Sequence, residues 1–149
     1  MKATLPILML AEGLKPRARR APRTAPKEYR LQTDVADVLK DYALPEWRWS
    51  HFPAGERRDV RTGARLKRMG LQRGWPDFQL VSPRGLFHAL ELKRLGEDLT
   101  DEQQDFQLWC CRFGVPHSVA YSFDEALAAL SHWGCLRIAP PKPLRGRHD

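Results

Sequence analysis

The spacing of apolar positions changes several times along the chain, and each change marks an element. From about Pro26 to Tyr42, the residues Leu31, Val35, Val38, Leu39 and Tyr42 recur at the three- and four-residue intervals of one helix face. Trp47, Trp49 and Phe52 read as a strand edge leading to the loop His51-Phe52-Pro53-Ala54-Gly55. The segment from about Val60 to Met69 predicts a short helix stopped by Gly70. Two apolar runs, Phe78 to Val81 and Leu86 to Lys93, then flank Ser82-Pro83-Arg84-Gly85, whose composition is that of a turn, so they predict a hairpin. Thr100 can cap a helix that carries Asp101 and Glu102 in its first turn and Gln103 at the reciprocal capping-box position. Phe106, Trp109, Cys110 and Phe113 are read as its buried face, and Gly114 stops it. His117 to Tyr121 reads as a third strand of this half. Ser122-Phe123-Asp124-Glu125 is a second capping-box pattern, opening a helix with Ala126, Leu127 and Leu130 inward. The order predicts an α/β fold, a small mixed sheet with helices on both faces.

At 149 residues and 42% hydrophobic content, the chain suits one domain with extensions, large enough to bury a core without staples. The expected division is a basic arm over 1–24, the domain over 25–137 and a basic, proline-rich, disordered tail over 138–149. No apolar run approaches a membrane span. Leu5 to Leu10 is too short for a secretory signal and no cleavage site follows it, so a cytoplasmic protein is expected. Three cysteines without C-x-x-C spacing suit reduced thiols better than a disulfide framework or a zinc site.

The net charge of +7 sits at the two ends. Residues 1–30 carry eight basic and two acidic side chains, 137–149 carry four and one, and 31–136 carry 13 and 15. Solubilising tails account for that total as well as a polyanion partner does. The arm's cluster Lys15, Arg17, Arg19, Arg20 and Arg23 can dock on phosphates or be an idle leader.

The candidate chemistry lies in the hairpin. Asp77 follows the turn Gly74-Trp75-Pro76, and Glu91 and Lys93, two apart on a strand, share a side. Two acids and a lysine can thus converge at neighbouring strand ends. Hard oxygen ligands select Mg²⁺ or Mn²⁺, and the carbonyl of Leu92 can add a third donor. The bland alternative is a strand-edge salt bridge between Glu91 and Lys93. A basic segment, Arg57, Arg58, Arg61, Arg65, Lys67, Arg68 and Arg73, precedes the acids. A solvated face would look like this, but cations around a metal site are also what a phosphodiester substrate needs. Glu28 and Gln103 carry two readings each: Glu28 faces the acids or serves the helix dipole, and Gln103 reaches the site or closes a capping box.

Taken together, these motifs resemble a known family. Pro76-Asp77 with Glu91-Leu92-Lys93 is similar to the PD-(D/E)XK nuclease signature. Adding His51-x-Pro53-x-Gly55, Arg57/Arg58, Lys67-Arg68-Met69-Gly70 and Leu99-Thr100-x-x-Gln103, the set resembles the virus-type replication-repair nuclease (VRR-NUC) domain over roughly Glu28 to Leu130. The resemblance implies a restriction-endonuclease-like core and Mg²⁺- or Mn²⁺-dependent hydrolysis of DNA, with no organic cofactor. It implies Asp77 and Glu91 as metal ligands, Lys93 as catalytic lysine, Gln103 as the motif glutamine and Glu28 as the amino-terminal helical glutamate. His51, Arg57, Arg58, Arg61, Arg65, Lys67 and Arg73 would then face DNA. Stand-alone members, carried by phages and bacteria, resemble homodimeric endonucleases selective for branched DNA such as four-way junctions or flaps. Ala54 and Trp75 depart from the family pattern, in which an asparagine and an aliphatic residue are usual, and both positions bear on loop contacts. The alternatives are a nuclease for ordinary duplex DNA and a non-catalytic basic DNA-binding module.

Overall fold

A computed structural model describes residues 27–53 and 59–137. The expectations for the arm and the tail, and those for Arg57 and Arg58, lie outside the described residues. The elements follow the predicted order: α1 (Lys27–Tyr42), β1 (Arg48–His51), α2 (Val60–Arg68), β2 (Phe78–Val81), β3 (Phe87–Leu92), α3 (Asp101–Phe113), β4 (His117–Ala120) and α4 (Phe123–His132). The strands form one sheet in the order β1-β2-β3-β4, antiparallel except for the parallel pair β3 and β4. Parallel neighbours cannot be joined by a tight turn, and α3 supplies the crossover.

The sheet is covered on both faces, and β3 shows it most directly because every residue from His88 to Leu92 is buried. On one face Phe78 and Leu80 of β2, Leu90 and Leu92 of β3 and Ala120 of β4 meet Val35 and Leu39 of α1 and Ala126 and Leu130 of α4. Burying each of these large apolar side chains contributes about 1.5–3 kcal/mol. The opposite face carries Ala89 and Glu91, with α3 laid over it through Cys110 and Gln103. Pairing of Ala43 with Leu136, and the bond from Leu44 N–H to Cys135 O at 2.8 Å, tie the end of α1 to the segment after α4.

Two readings of the sequence need correction. Trp109 and Phe113 were assigned to the buried face of α3, yet they are 49% and 61% exposed, Phe106 is half-buried, and Cys110 alone is fully covered. Helical spacing shows which side chains share a stripe. It does not show how wide a stripe the sheet covers, and here α3 rests on a narrow one. Ser122 accepts from Glu125 N–H as a cap should, but Glu125 Oε2 turns back to Tyr121 N–H, one residue before the position a full capping box uses.

His88 lies inside the larger core between Trp47 and Trp133, ring centroids 4.9 and 5.2 Å away. Its Nδ1 donates to Leu86 O at 3.0 Å. Burial pushes its pKa below 6.5, the hydrogen bond only partly opposing this, and burial lowers that of His117 as well. Both rings charge more readily in the unfolded chain, so stability falls as pH drops through 6.5 and levels off below the folded-state values. The melting temperature should therefore decline on acidification below that pH, and less steeply in His88→Phe. Identical slopes in the two proteins would contradict the role given to the buried ring.

Candidate active site

The site is organised by how β2 begins. In the antiparallel register Phe78 faces Leu90 and Gln79 faces Ala89. One step further along the same register sets Asp77 opposite Glu91, and the next sets Pro76 opposite Leu92. Directly opposed residues on antiparallel strands share a face, with Cβ atoms about 4.5–5.5 Å apart. Pro76 is fully buried and ends the strand. The amide of Leu92 instead donates to Asp77 Oδ2 at 2.8 Å, so the aspartate side chain completes the ladder beyond β2.

Further hydrogen bonds hold Asp77. Gln32 of α1 donates from Nε2 to Oδ1 at 3.3 Å. The backbone carbonyl accepts from Phe52 N–H at 2.8 Å and from His51 Nδ1, also at 2.8 Å, which fixes the proton on that nitrogen.

Glu91 is 4% exposed, and its Oε1 accepts from Gln103 Nε2. Gln103 is also the capping-box residue of α3: its Oε1 accepts from Thr100 N–H at 2.9 Å, while Thr100 Oγ1 accepts from Gln103 N–H at 3.3 Å. The two readings of Gln103 are therefore one. Because the cap uses the carbonyl end of the amide, the NH₂ end is turned to Glu91.

The remaining candidates are placed as follows. Lys93 N–H bonds Ala120 O at 2.9 Å, so the extended backbone continues past Leu92 and alternation keeps Lys93 on the side of Glu91. Among the described residues Lys93 takes part in no ion pair, so the strand-edge salt bridge does not form. Glu28 lies in the first turn of α1, with its side chain outside the described residues. Arg61, Arg65, Lys67 and Arg73 are exposed, the first three on α2, which buries none of its residues. His51 packs on Phe78, centroids 5.4 Å apart, and is committed through Nδ1 to Asp77.

A family model described as the VRR-NUC domain matches residues 26–124, two-thirds of the chain and all of the residues just placed. The chain belongs to the VRR-NUC family. It thus carries a nuclease domain, and DNA is the implied substrate. No curated protein and no solved structure matches the chain.

Sequence reasoning missed Gln32. It lies 45 residues from Asp77 at the edge of the apolar stripe, three before Val35 and seven before Leu39, and its position one turn beyond Glu28 was the signal that could have singled it out. It also missed what Gly74 does. Gly74 has φ +83°, and a Cβ there would meet the carbonyl of Glu102, 2.6 Å from its carbon. The VRR-NUC turn carrying Asp77 thus presses on the first turn of α3, which carries Gln103. Gly85 has a similar φ of +77° but faces open space. Gly85→Ala should cost about 1 kcal/mol from backbone strain. Gly74→Ala should cost about 1–3 kcal/mol more because the backbone contact must shift. Denaturant unfolding of both variants measures the difference, and equal losses would remove the proposed contact.

Proposed function

We propose that this VRR-NUC chain is a divalent-metal-dependent DNA endonuclease selective for branched DNA such as four-way junctions or flaps. The observation carrying this reading is the facing of Asp77 and Glu91 across the hairpin, each held by an amide side chain from a different helix. With the Leu92 carbonyl they make an all-oxygen donor set, which suits Mg²⁺ or Mn²⁺. A bound ion of this kind acidifies water and offsets charge on the phosphate.

The chain's own residues supply the rest. Gln32 and Gln103 keep the two carboxylates from rotating, and Glu28 is assigned as a further acid of the site. Lys93 orients the attacking water or donates to a phosphate oxygen as negative charge builds. Arg61, Arg65 and Lys67 on α2, with Arg73, Arg57, Arg58 and His51, hold the DNA backbone around the site. One site cuts one strand, so paired incisions call for two copies related by symmetry.

The decisive experiment incubates labelled junction, flap and linear duplex DNA with Mg²⁺, Mn²⁺ or Ca²⁺. Nicks near the branch are expected with Mg²⁺ or Mn²⁺, and binding without cutting with Ca²⁺, whose looser coordination positions water poorly. Equal cutting of linear DNA would remove the branch selectivity. Lys93→Ala should lower cleavage by about 10²–10³-fold with DNA affinity retained. Asp77→Ala should also lose Mn²⁺ binding by calorimetry, and Gln32→Leu should weaken metal affinity or activity by about 10–100-fold. Unaltered Mn²⁺ affinity in Asp77→Ala would falsify its assignment.

The basic helix gives a separate test. Each of Arg61, Arg65 and Lys67 that meets a phosphate should, when changed to Ala, reduce the slope of log affinity against log salt by about 0.7–0.9. An unchanged slope in the triple variant would take α2 out of the interface.

A further inference from the structure

Apart from Arg73 at its edge, the exposed aromatic side of α3 is not used by the site described above. Trp75, Phe106, Trp109 and Phe113 follow one another along it at centroid separations of 5.4, 6.0 and 5.5 Å. With Leu108, which is 69% exposed, they line a groove of about 810 Å³ between α3 and the turn before Asp77. An open apolar trough of this kind marks a docking surface.

Its rim argues against DNA as the occupant. Asp101, Glu102 and Asp105 line it, against Arg73 and Arg112. Arg73 lies 3.9 Å from Glu102, and Arg112 stacks over the Phe113 ring at 5.4 Å. Asp101 and Asp105 have no ion-pair partner among the described residues. The net charge of this surface is thus negative, which repels a phosphate backbone. Two copies meeting through this same patch would also bring like net charge together.

The segment that fits is in the chain itself. Leu5-Pro6-Ile7-Leu8-Met9-Leu10 is apolar, and Lys15, Arg17, Arg19, Arg20 and Arg23 follow it. Apolar groove and acidic rim are matched by apolar run and basic cluster. The reach also suffices. Leu10 is 17 residues before Lys27, a contour on the order of 55 Å, whereas a body of this size has a radius of gyration on the order of 13 Å. α1 is also tied to the turn that borders the groove, since Gln32 bonds Asp77 and Trp75 is two residues from Asp77.

We infer that residues 5–10 dock intramolecularly into the α3 groove, with the basic cluster behind them lying along its acidic rim. The proposal stands whether or not the site cleaves DNA.

Photo-cross-linking of the full chain tests it. With Met9→benzoylphenylalanine, irradiation should give a product of single-chain mass whose cross-link maps to peptides containing Trp75 or Leu108 to Phe113. Adding Ile7→Asp and Leu10→Asp should cut the yield about tenfold with an unchanged circular-dichroism melt. Leu108→Asp should do the same with an unchanged circular-dichroism melt, since the side chain is exposed. Three results overturn the inference: cross-links mapping elsewhere, a product of twice the chain mass, or a yield indifferent to the added charges.

Discussion

The hydrogen bond from the Leu92 amide to the Asp77 carboxylate is the constraint from which the site follows. Pro76 ends β2 at the point where the hairpin register would otherwise continue, and the aspartate side chain takes over the ladder by accepting that amide. This makes Asp77 a structural residue of the sheet before it is anything else. It also commits its carboxylate to the end of the sheet where Glu91 emerges. A proline followed by an acid is therefore a way of terminating a strand and delivering an oxyanion to that terminus in one step.

The two helical layers then act on the two acids separately. On the core side α1 contributes Gln32 to Asp77, and on the other side α3 contributes Gln103 to Glu91. Gln103 simultaneously closes the capping box that starts α3, a pairing that stabilises a helix by about 1 kcal/mol. The orientation of Glu91 is consequently tied to how well α3 begins. Gly74 adds the last tie, since the turn carrying Asp77 rests on the backbone of that same first helical turn. Local stability and site geometry are one set of contacts here, and a substitution at Thr100, Gly74 or Gln103 perturbs both.

The legible parts of this fold carried their own local signals. The hairpin announced itself through two apolar runs and a turn sequence, α3 through Thr100 and Gln103, and α4 through Ala126, Leu127 and Leu130, all three of which are buried. The facing of Asp77 and Glu91 was legible because strand alternation and a short hairpin fix their side without reference to the rest of the chain. Gln32 was not, because nothing local encodes the approach of two residues 45 positions apart. The exposure of Trp109 and Phe113 was hidden for a related reason. Spacing defines an apolar stripe, but its coverage depends on how much sheet lies opposite, and the four-residue β4 leaves much of α3 open.

On the proposed reading, the cations that would meet a DNA backbone and the acids that would hold a metal stand apart in the fold. The acids stand at the covered end of the sheet, while the cations stand on α2, a nine-residue helix that buries nothing. Isolated helices this short are marginal in water. What holds α2 is local: Asp59 Oδ1 accepts from Thr62 N–H at 3.0 Å, and Arg65, Lys67 and Arg68 lie in the last turn, where the helix dipole favours positive charge. The same charges that stabilise its C-terminal end are thus the ones it presents outward. A phosphate backbone arriving there would meet cations whose placement the helix has already selected for its own sake. A short helix with no core to satisfy can also shift to fit a bent or branched strand more cheaply than one packed against the sheet.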